Sequence, residues 1–510
     1  MRFAAGMAIF AAALTVPLAL PIGAAIGLDR PVRDDLTPKD LARVRAVTAT
    51  TTDFTRPENF EAMPGGGATS TKLVNRDSFS QVSANQTFAG EDRFKLGNAL
   101  FRKLWVSSPS STEASDGLGP LFNARSCQSC HVKDGRGRAP DTEGEKATSL
   151  FLRLSVPPKT DEEKAKLASR EWQNVPAPIY GGQLQNRAIP GFKAEGDMGI
   201  AYEEVPVELA DGTTVMLRKP TYTFENPGYG DPAPDILLSP RVASPMIGLG
   251  LIEQIHPADI LANADPDDAD SNGISGRPSW VLDKMSGELV LGRFGWKATM
   301  PTIGTQSAHA FAGDVGISSP EMPYPAGDCT ALQPDCLNAP NGVQAALGDT
   351  EAPDPVMPLV TFYSQNLAVP ARRNVDDADV LRGKQVFYEA GCTSCHTPKY
   401  VTRRDAPDEI HAFQLIWPYT DVLLHDMGPG LADHRPDGDA DGFEWRTPPL
   451  WGIGLTEDVS GHTQFLHDGR ARNLLEAVLW HGGEAEAQQQ AVVNMPAADR
   501  NSLIAFLESL

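Results

Sequence analysis

Beyond its first 28 residues the chain has no apolar run long enough to cross a bilayer. It is poor in positive charge: 44 Lys and Arg stand against 66 Asp and Glu, a net charge of −22. That balance argues against a nucleic-acid binder. It suits a basic protein partner or a small substrate. Aromatic residues are few, at 7%, and cysteine is rare, with 6 in 510 residues. Gly (46) and Pro (42) are frequent enough for a loop-rich chain but too few for a low-complexity one. With 41% hydrophobic residues, fibrous and wholly disordered readings are excluded. The length allows two to four domains at roughly 100–200 residues each.

Residues 1–28 place one Arg before a long apolar run that ends in small residues around Ala24 and Ala25. This pattern reads as a secretory signal peptide and implies an exported, periplasmic protein. An uncleaved N-terminal anchor is the alternative.

Four of the cysteines fall in two copies of one motif: Cys127-Gln128-Ser129-Cys130-His131 and Cys392-Thr393-Ser394-Cys395-His396. C-x-x-C-H is the attachment signature of c-type haem. Two thiols add to the two vinyl groups of one porphyrin, and the adjacent His ligates the iron on its proximal face. A zinc site shared by all four thiols is the competing reading. The 265-residue separation, the His in both copies and the export signal favour two covalently bound haem c groups. Cys329 and Cys336 remain, in a Pro/Gly-rich loop, and are expected to form a local disulfide. No thiol is left over as a catalytic nucleophile.

The chain divides accordingly. Residues 29–90 read as an irregular arm, 91–370 as a first cytochrome c-like haem domain with an insert, and 371–510 as a second. The expected fold is mainly α, the insert being loop-rich with some β-hairpins. Arg93–Phe101 and Val380–Phe387 are matching helical stretches ahead of the two motifs, with a loop (107–125) inserted before the first. Pro245–Glu253 and Pro449–Glu457 form a second echo. Hairpins are predicted around Asp211-Gly212 and Ser286-Gly287. Ala497–Leu510 reads as a closing helix.

With these motifs in place, the stretch RTPPLWGIGLTEDVSGHTQFLHDGRARNLLEAVLWHGGEA (446–485) resembles the C-terminal haem domain of bacterial di-haem cytochrome c peroxidases. GPLFNARSCQSCH (119–131), YGGQLQNRAIPG (180–191), DPDDADSNGISGRP (265–278) and GRFGWKATMPT (292–302) resemble, more closely, the di-haem oxidoreductase family related to those peroxidases. The resemblance spans roughly residues 90–510. It implies peroxidase-type redox chemistry more firmly than any substrate.

His131 and His396 are the expected proximal ligands. For the second haem, the resemblance implies a distal Met fourteen residues beyond His467, where this chain has His481. A helix-end His before Gly482-Gly483 is the plainer reading of His481. Met427 is the rival ligand. For the first haem, sliding the second domain back by 172 residues sets His309 on His481. His256 and Met246 are lesser rivals. An open distal face would make the first haem the peroxidatic site, with Glu253 as candidate acid/base group. His411, His425, His434, His462 and His467 have no spacing that compels ligation, although His467 could reach a haem propionate. One of Trp296, Trp451 and Trp480 could stand between the haems. The acidic loops 265–273 and 437–442 alternate carboxylates before a Gly, a Ca2+-binding rhythm that lacks the twelfth-position Glu of an EF-hand. Asp268, Asp270 and Asn272 are the candidate Ca2+ ligands.

Two functions compete, and a third, a haem sensor or accessory protein of metal uptake, has no specific sequence feature behind it. The first is a di-haem peroxidase drawing electrons from a small cytochrome c or cupredoxin and reducing a small-molecule oxidant. The second is a non-catalytic electron carrier with both irons six-coordinate. No spare dithiol supports thiol oxidation.

Overall fold

The computed structural model describes residues 32–112, 115–142, 144–146 and 148–510. The expected signal peptide lies outside the described residues.

Two helix pairs stand next to the two C-x-x-C-H motifs, and the same pattern builds both. Phe88–Arg102 buries Phe94, Gly97 and Phe101, and Ala378–Glu389 buries Val380, Gly383 and Phe387. The spacing i, i+3, i+7 puts each set on one helix face. Thr87 and Asp377 cap the N-termini by accepting backbone N–H groups. The first helix packs on Val356–Gln365 and the second on Ala497–Ser509. Glycine permits both crossings. A Cβ at Gly97 would lie 2.6 Å from Tyr363 Cβ, and one at Gly383 would lie 2.7 Å from Phe506 Cβ. Each motif follows its helix as a 3-10 turn, Cys127–Ser129 and Cys392–Ser394.

The fold as a whole is mixed rather than mainly α, with 30% helix and 16% strand. The strands form separate two-stranded sheets. The largest is the hairpin Asp197–Glu208 with Thr214–Glu225, turning at Asp211-Gly212 as predicted. It lies over the C-terminal half: Ala210 N–H donates to the Val493 carbonyl, Tyr222 to Asp468, and Arg218 to the Gly469 carbonyl. Trp280–Leu282 pairs with Leu289–Leu291 around Ser286-Gly287, the second predicted hairpin. The echoed segments share a local shape. Gly248 (φ 68) precedes the helix Leu249–Glu253, and Gly452 (φ 73) precedes the 3-10 turn Ile453–Leu455.

The arm is less irregular than its composition suggests. Thr37 caps the helix Pro38–Thr48, which has Pro at its first position. The arm is also anchored. Glu58 and Glu61 accept from Lys384, Glu58 from Lys399, and Glu61 pairs with Arg372. These buried cations explain why a polar segment holds its place: each would be costly if left unpaired. Among the described residues, no helix is long and apolar enough to cross a membrane.

Candidate functional site

The two motif histidines are oriented identically. His131 Nδ1 lies 2.8 Å from the Ser244 carbonyl oxygen, and His396 Nδ1 lies 2.9 Å from that of Tyr419. A carbonyl only accepts, so Nδ1 carries the proton in each ring and Nε2 keeps its lone pair for a metal. Burial pushes both imidazoles down to about 4, which keeps them neutral. Phe101 and Phe387 stand at 6.2 and 6.1 Å from the two rings. The four motif thiols are unpaired, whereas Cys329 and Cys336 are joined to each other.

A cavity of about 1750 Å³ opens beside the first motif. Cys127, Cys130, His131, Met246, Trp296 and His309 are among the residues that line it. It is large enough for a porphyrin and more, set against the usual ligand pocket of roughly 300–1,000 Å³. Burial, with Arg153 nearby, pushes the His309 imidazole down to about 4, so its ring is neutral. Its helix, Ile303–Ala310, is capped by Thr302, and the helix Leu474–Leu479 by Asn473. Measured from these caps, His309 falls one position short of His481.

At the second motif, His481 Nδ1 lies 2.8 Å from the Ala477 carbonyl oxygen, so its Nε2 is also free. The two imidazoles are near enough for His481 to add to the depression of His396 by burial. Gly482 backs onto the Met427 carbonyl, so Met427 and His481 occupy adjoining segments.

Several expected residues have other employment. Glu253 does not line the cavity. Its carboxylate accepts from Ile303 N–H (2.7 Å) and Gln365 Nε2 (2.6 Å), which fixes the start of the His309 helix. His256 caps the helix Pro257–Leu261 and contacts Asp34. His425 is clamped by Asp421 (2.8 Å) and Glu484 (2.7 Å). Burial opposes its protonation, yet these carboxylates raise it well above its ordinary value. Its Nδ1 is 3.6 Å from Cys395 Sγ. Trp451 packs on Gly248. In loop 437–442, Asp437 pairs with Arg435, Asp439 with Arg170, and Asp441 accepts from Phe443 N–H, so that loop's carboxylates are spent. Asp265, Asp268 and Asp270 do converge, their ligand atoms within 4.8 Å of one another. Asn272 instead donates to Asp270 and accepts from Ile274 N–H.

Three features were not legible in the sequence. Trp445 stacks on His467 (3.8 Å, 14°), and Trp296 meets the same imidazole edge-on at 6.4 Å. Trp296 belongs to the cavity wall, while Trp445 shares a core with Cys392 and Trp480. Second, several buried nitrogens lack hydrogen-bond partners: Arg435 Nε, Arg136 Nε and His467 Nε2. Arg241 Nη2 and Arg435 Nη1 have none either; they meet Asp437 as ion pairs at 3.5 and 3.0 Å, and Arg241 Nη2 also meets Asp433 at 3.6 Å. Arg241 and Arg435 line the cavity. Buried guanidinium N–H groups without aligned acceptors are costly, and two carboxylates of a bound ligand would satisfy them. The thiol pairs, free Nε2 atoms, cavity and orphaned donors together fit a haem with its propionates. Third, Asp314 faces the cavity near both Cys127 and Cys130. Burial raises each thiol, and the Asp314 charge adds to that.

Residues 60–510 match the family described as "Di-haem oxidoreductase, putative peroxidase". No curated protein matches the chain. Among solved structures, a chain of Kuenenia stuttgartiensis hydrazine synthase is 13% identical with a TM-score of 0.27, covering 70% of this chain and 90% of that one. A likeness that low carries no argument about fold or activity.

Proposed function

The chain belongs to the di-haem oxidoreductase family, and from that premise we propose that it is an exported di-haem c-type cytochrome of cytochrome c peroxidase type. The carrying observation is the matched pair of motif histidines, each with Nδ1 held by a main-chain carbonyl and Nε2 free. In this reading Cys127, Cys130 and His131 hold haem one. Cys392, Cys395 and His396 hold haem two. Bound haem supplies the one-electron chemistry.

This reading gives the chain's own residues the following roles. His481, with its Nε2 free, would hold the iron of haem two from the distal side, which would make that haem the electron-transfer site. The large cavity beside His131 would leave room for peroxide over haem one, which would make that haem the peroxidatic site. Arg241 and Arg435 pair with propionates. Trp296, His467 and Trp445 form the aromatic path between the two sites. The acidic surface steers a basic small cytochrome c or cupredoxin to the protein. The loop of Asp265, Asp268 and Asp270 holds Ca2+.

One observation favours a second reading, an electron carrier without substrate chemistry: His309 lines the cavity with a neutral ring. If it ligated haem one, both irons would be six-coordinate. EPR and visible spectra of the holoprotein, oxidised and half-reduced, with and without peroxide, separate the two. A high-spin ferric signal that peroxide alters, and that a His131→Ala variant lacks, supports the peroxidase. Two low-spin signals silent to peroxide in both redox states reject it.

A further inference from the structure

The helix Ile303–Ala310 runs directly into a π-helical turn, Phe311–Val315. Such single turns recur at functional sites. This one carries Asp314 into the cavity, five residues beyond His309 on the same wall. The turn is fastened to the segment that leads into the first motif: Asn123 and Ala124 N–H donate to the Asp314 carbonyl at 2.8 and 3.0 Å. Among the described residues, the Asp314 side chain accepts one hydrogen bond, from Gln183 Nε2 at 2.9 Å. Arg153 is the cation that faces it.

Gln183 has no exposed surface. Its Nε2 also reaches Asn123 Oδ1 (2.6 Å) and the Gly313 carbonyl (3.3 Å), so its rotamer is set from three sides. Its own N–H and that of Gly182 donate to Asp328, which fixes the backbone beneath it. One oxygen of Asp314 is therefore held, while the other is left to the cavity. Glu253 is committed to Ile303 and Gln365, and Asp134 to Ser80 and Tyr363. Asp314 is thus the carboxyl available near the first thiol pair.

We propose that Asp314 is the acid of the haem-one cavity, protonating the oxygen that departs when peroxide is reduced there, and that Gln183 is its positioning residue. The proposal rests on the peroxidase reading and deepens it. H2O2 takes up two electrons and two protons and becomes two waters. The O–O bond breaks, and the electrons come from the reduced small redox protein. Asp314 gives one proton to the departing oxygen. Solvent supplies the second proton and restores the acid.

Asp314→Asn in the fully haem-loaded protein tests this, with turnover measured on H2O2 and on peracetic acid, and with the ferric visible spectrum followed across pH, where the transition due to Asp314 is expected to disappear. Acetate leaves from the peracid without needing a proton, so an acid matters less there. The expected result is a loss of about 100-fold on H2O2, the usual scale of general acid catalysis, with most of the peracid rate retained. Rates equal to wild type on both oxidants, or an equal loss on both, overturn the proposal. Should the Asn variant fail to take up two haems, Asp314→Glu decides. The longer side chain displaces the carboxyl, so a selective loss on H2O2 with the peracid rate retained supports the acid role, and rates unchanged or equally lost on both oxidants overturn it. Wild-type holoprotein inert to both oxidants is a different result: it overturns the peroxidase reading and this proposal with it.

Discussion

Gly248 packs so closely against the indole of Trp451 that a Cβ there would collide with Cζ2. The contact is reciprocated: a Cβ on Gly452 would meet Ile247 Cδ1 at 2.5 Å. In the two echoed segments Ile247 corresponds to Trp451, and Gly248 to Gly452. Each repeat therefore sets its glycine on the other's preceding side chain, the reciprocity of an isologous contact. Both glycines are left-handed, at φ 68 and 73. The pairing brings the segments after the two motifs face to face about an approximate local twofold axis.

Gly248→Ala is expected to destabilise the protein by about 2 kcal/mol or more, since a new Cβ adds steric overlap to an unfavourable φ. Gly383→Ala should cost about 1–3 kcal/mol through overlap with Ser502 and Phe506 alone. Thermal or denaturant unfolding of each variant checks both. Unchanged midpoints would mean that these crossings relax freely.

His481→Ala should abolish the low-spin signature of haem two, while Met427→Ala leaves it intact. His481→Met should retain a low-spin haem and raise its potential, since thioether ligation raises the potential relative to imidazole. Spectra and potentiometric titration report both. A Met427→Ala variant that loses the signature would reassign the ligand.

Acid should unfold the protein partly through Asp437. Burial alone would raise its carboxyl, but Arg435 and Arg241 outweigh that desolvation and hold it at about 2, against an ordinary 3.8. The unfolded chain therefore takes the proton first. The stabilisation is complete above about pH 4 and fades as pH falls toward 2, a term on the order of 2 kcal/mol. Asp437→Asn should lower stability near neutral pH and flatten its decline below pH 4. Urea unfolding across pH reads this directly.

Millimolar Ca2+, the affinity range of extracellular sites, should raise the unfolding midpoint, because a ligand bound only by the folded state stabilises it. Asp268→Ala with Asp270→Ala should remove that rise. A midpoint indifferent to Ca2+ and EGTA would mean that the loop is a solvated acidic turn.

The two C-x-x-C-H motifs were legible in the chain because the signature is local. Two thiols and a His must fall within five residues, so C-x-x-C-H announces itself wherever it occurs. The helices ahead of each motif and both hairpins were legible for the same reason, as apolar spacing and turn residues act between near neighbours. The disulfide closed within one loop. The mixed fold was not legible, because short strands such as Leu150–Ser155 and Leu237–Val242 find partners more than eighty residues away. Glu253 illustrates the limit. Its sequence position suits a catalytic carboxyl, yet only the packing of Ile303 and Gln365 against it shows that both oxygens are spent. Asp314, the orphaned donors of Arg241 and Arg435, and the Trp296–His467–Trp445 contact were likewise decided by tertiary structure. Sequence alone determined that two haem-type motifs exist and where the thiols lie. Which buried charges meet, and which are left facing the cavity, depended largely on contacts between segments distant in sequence, and no local pattern encodes those.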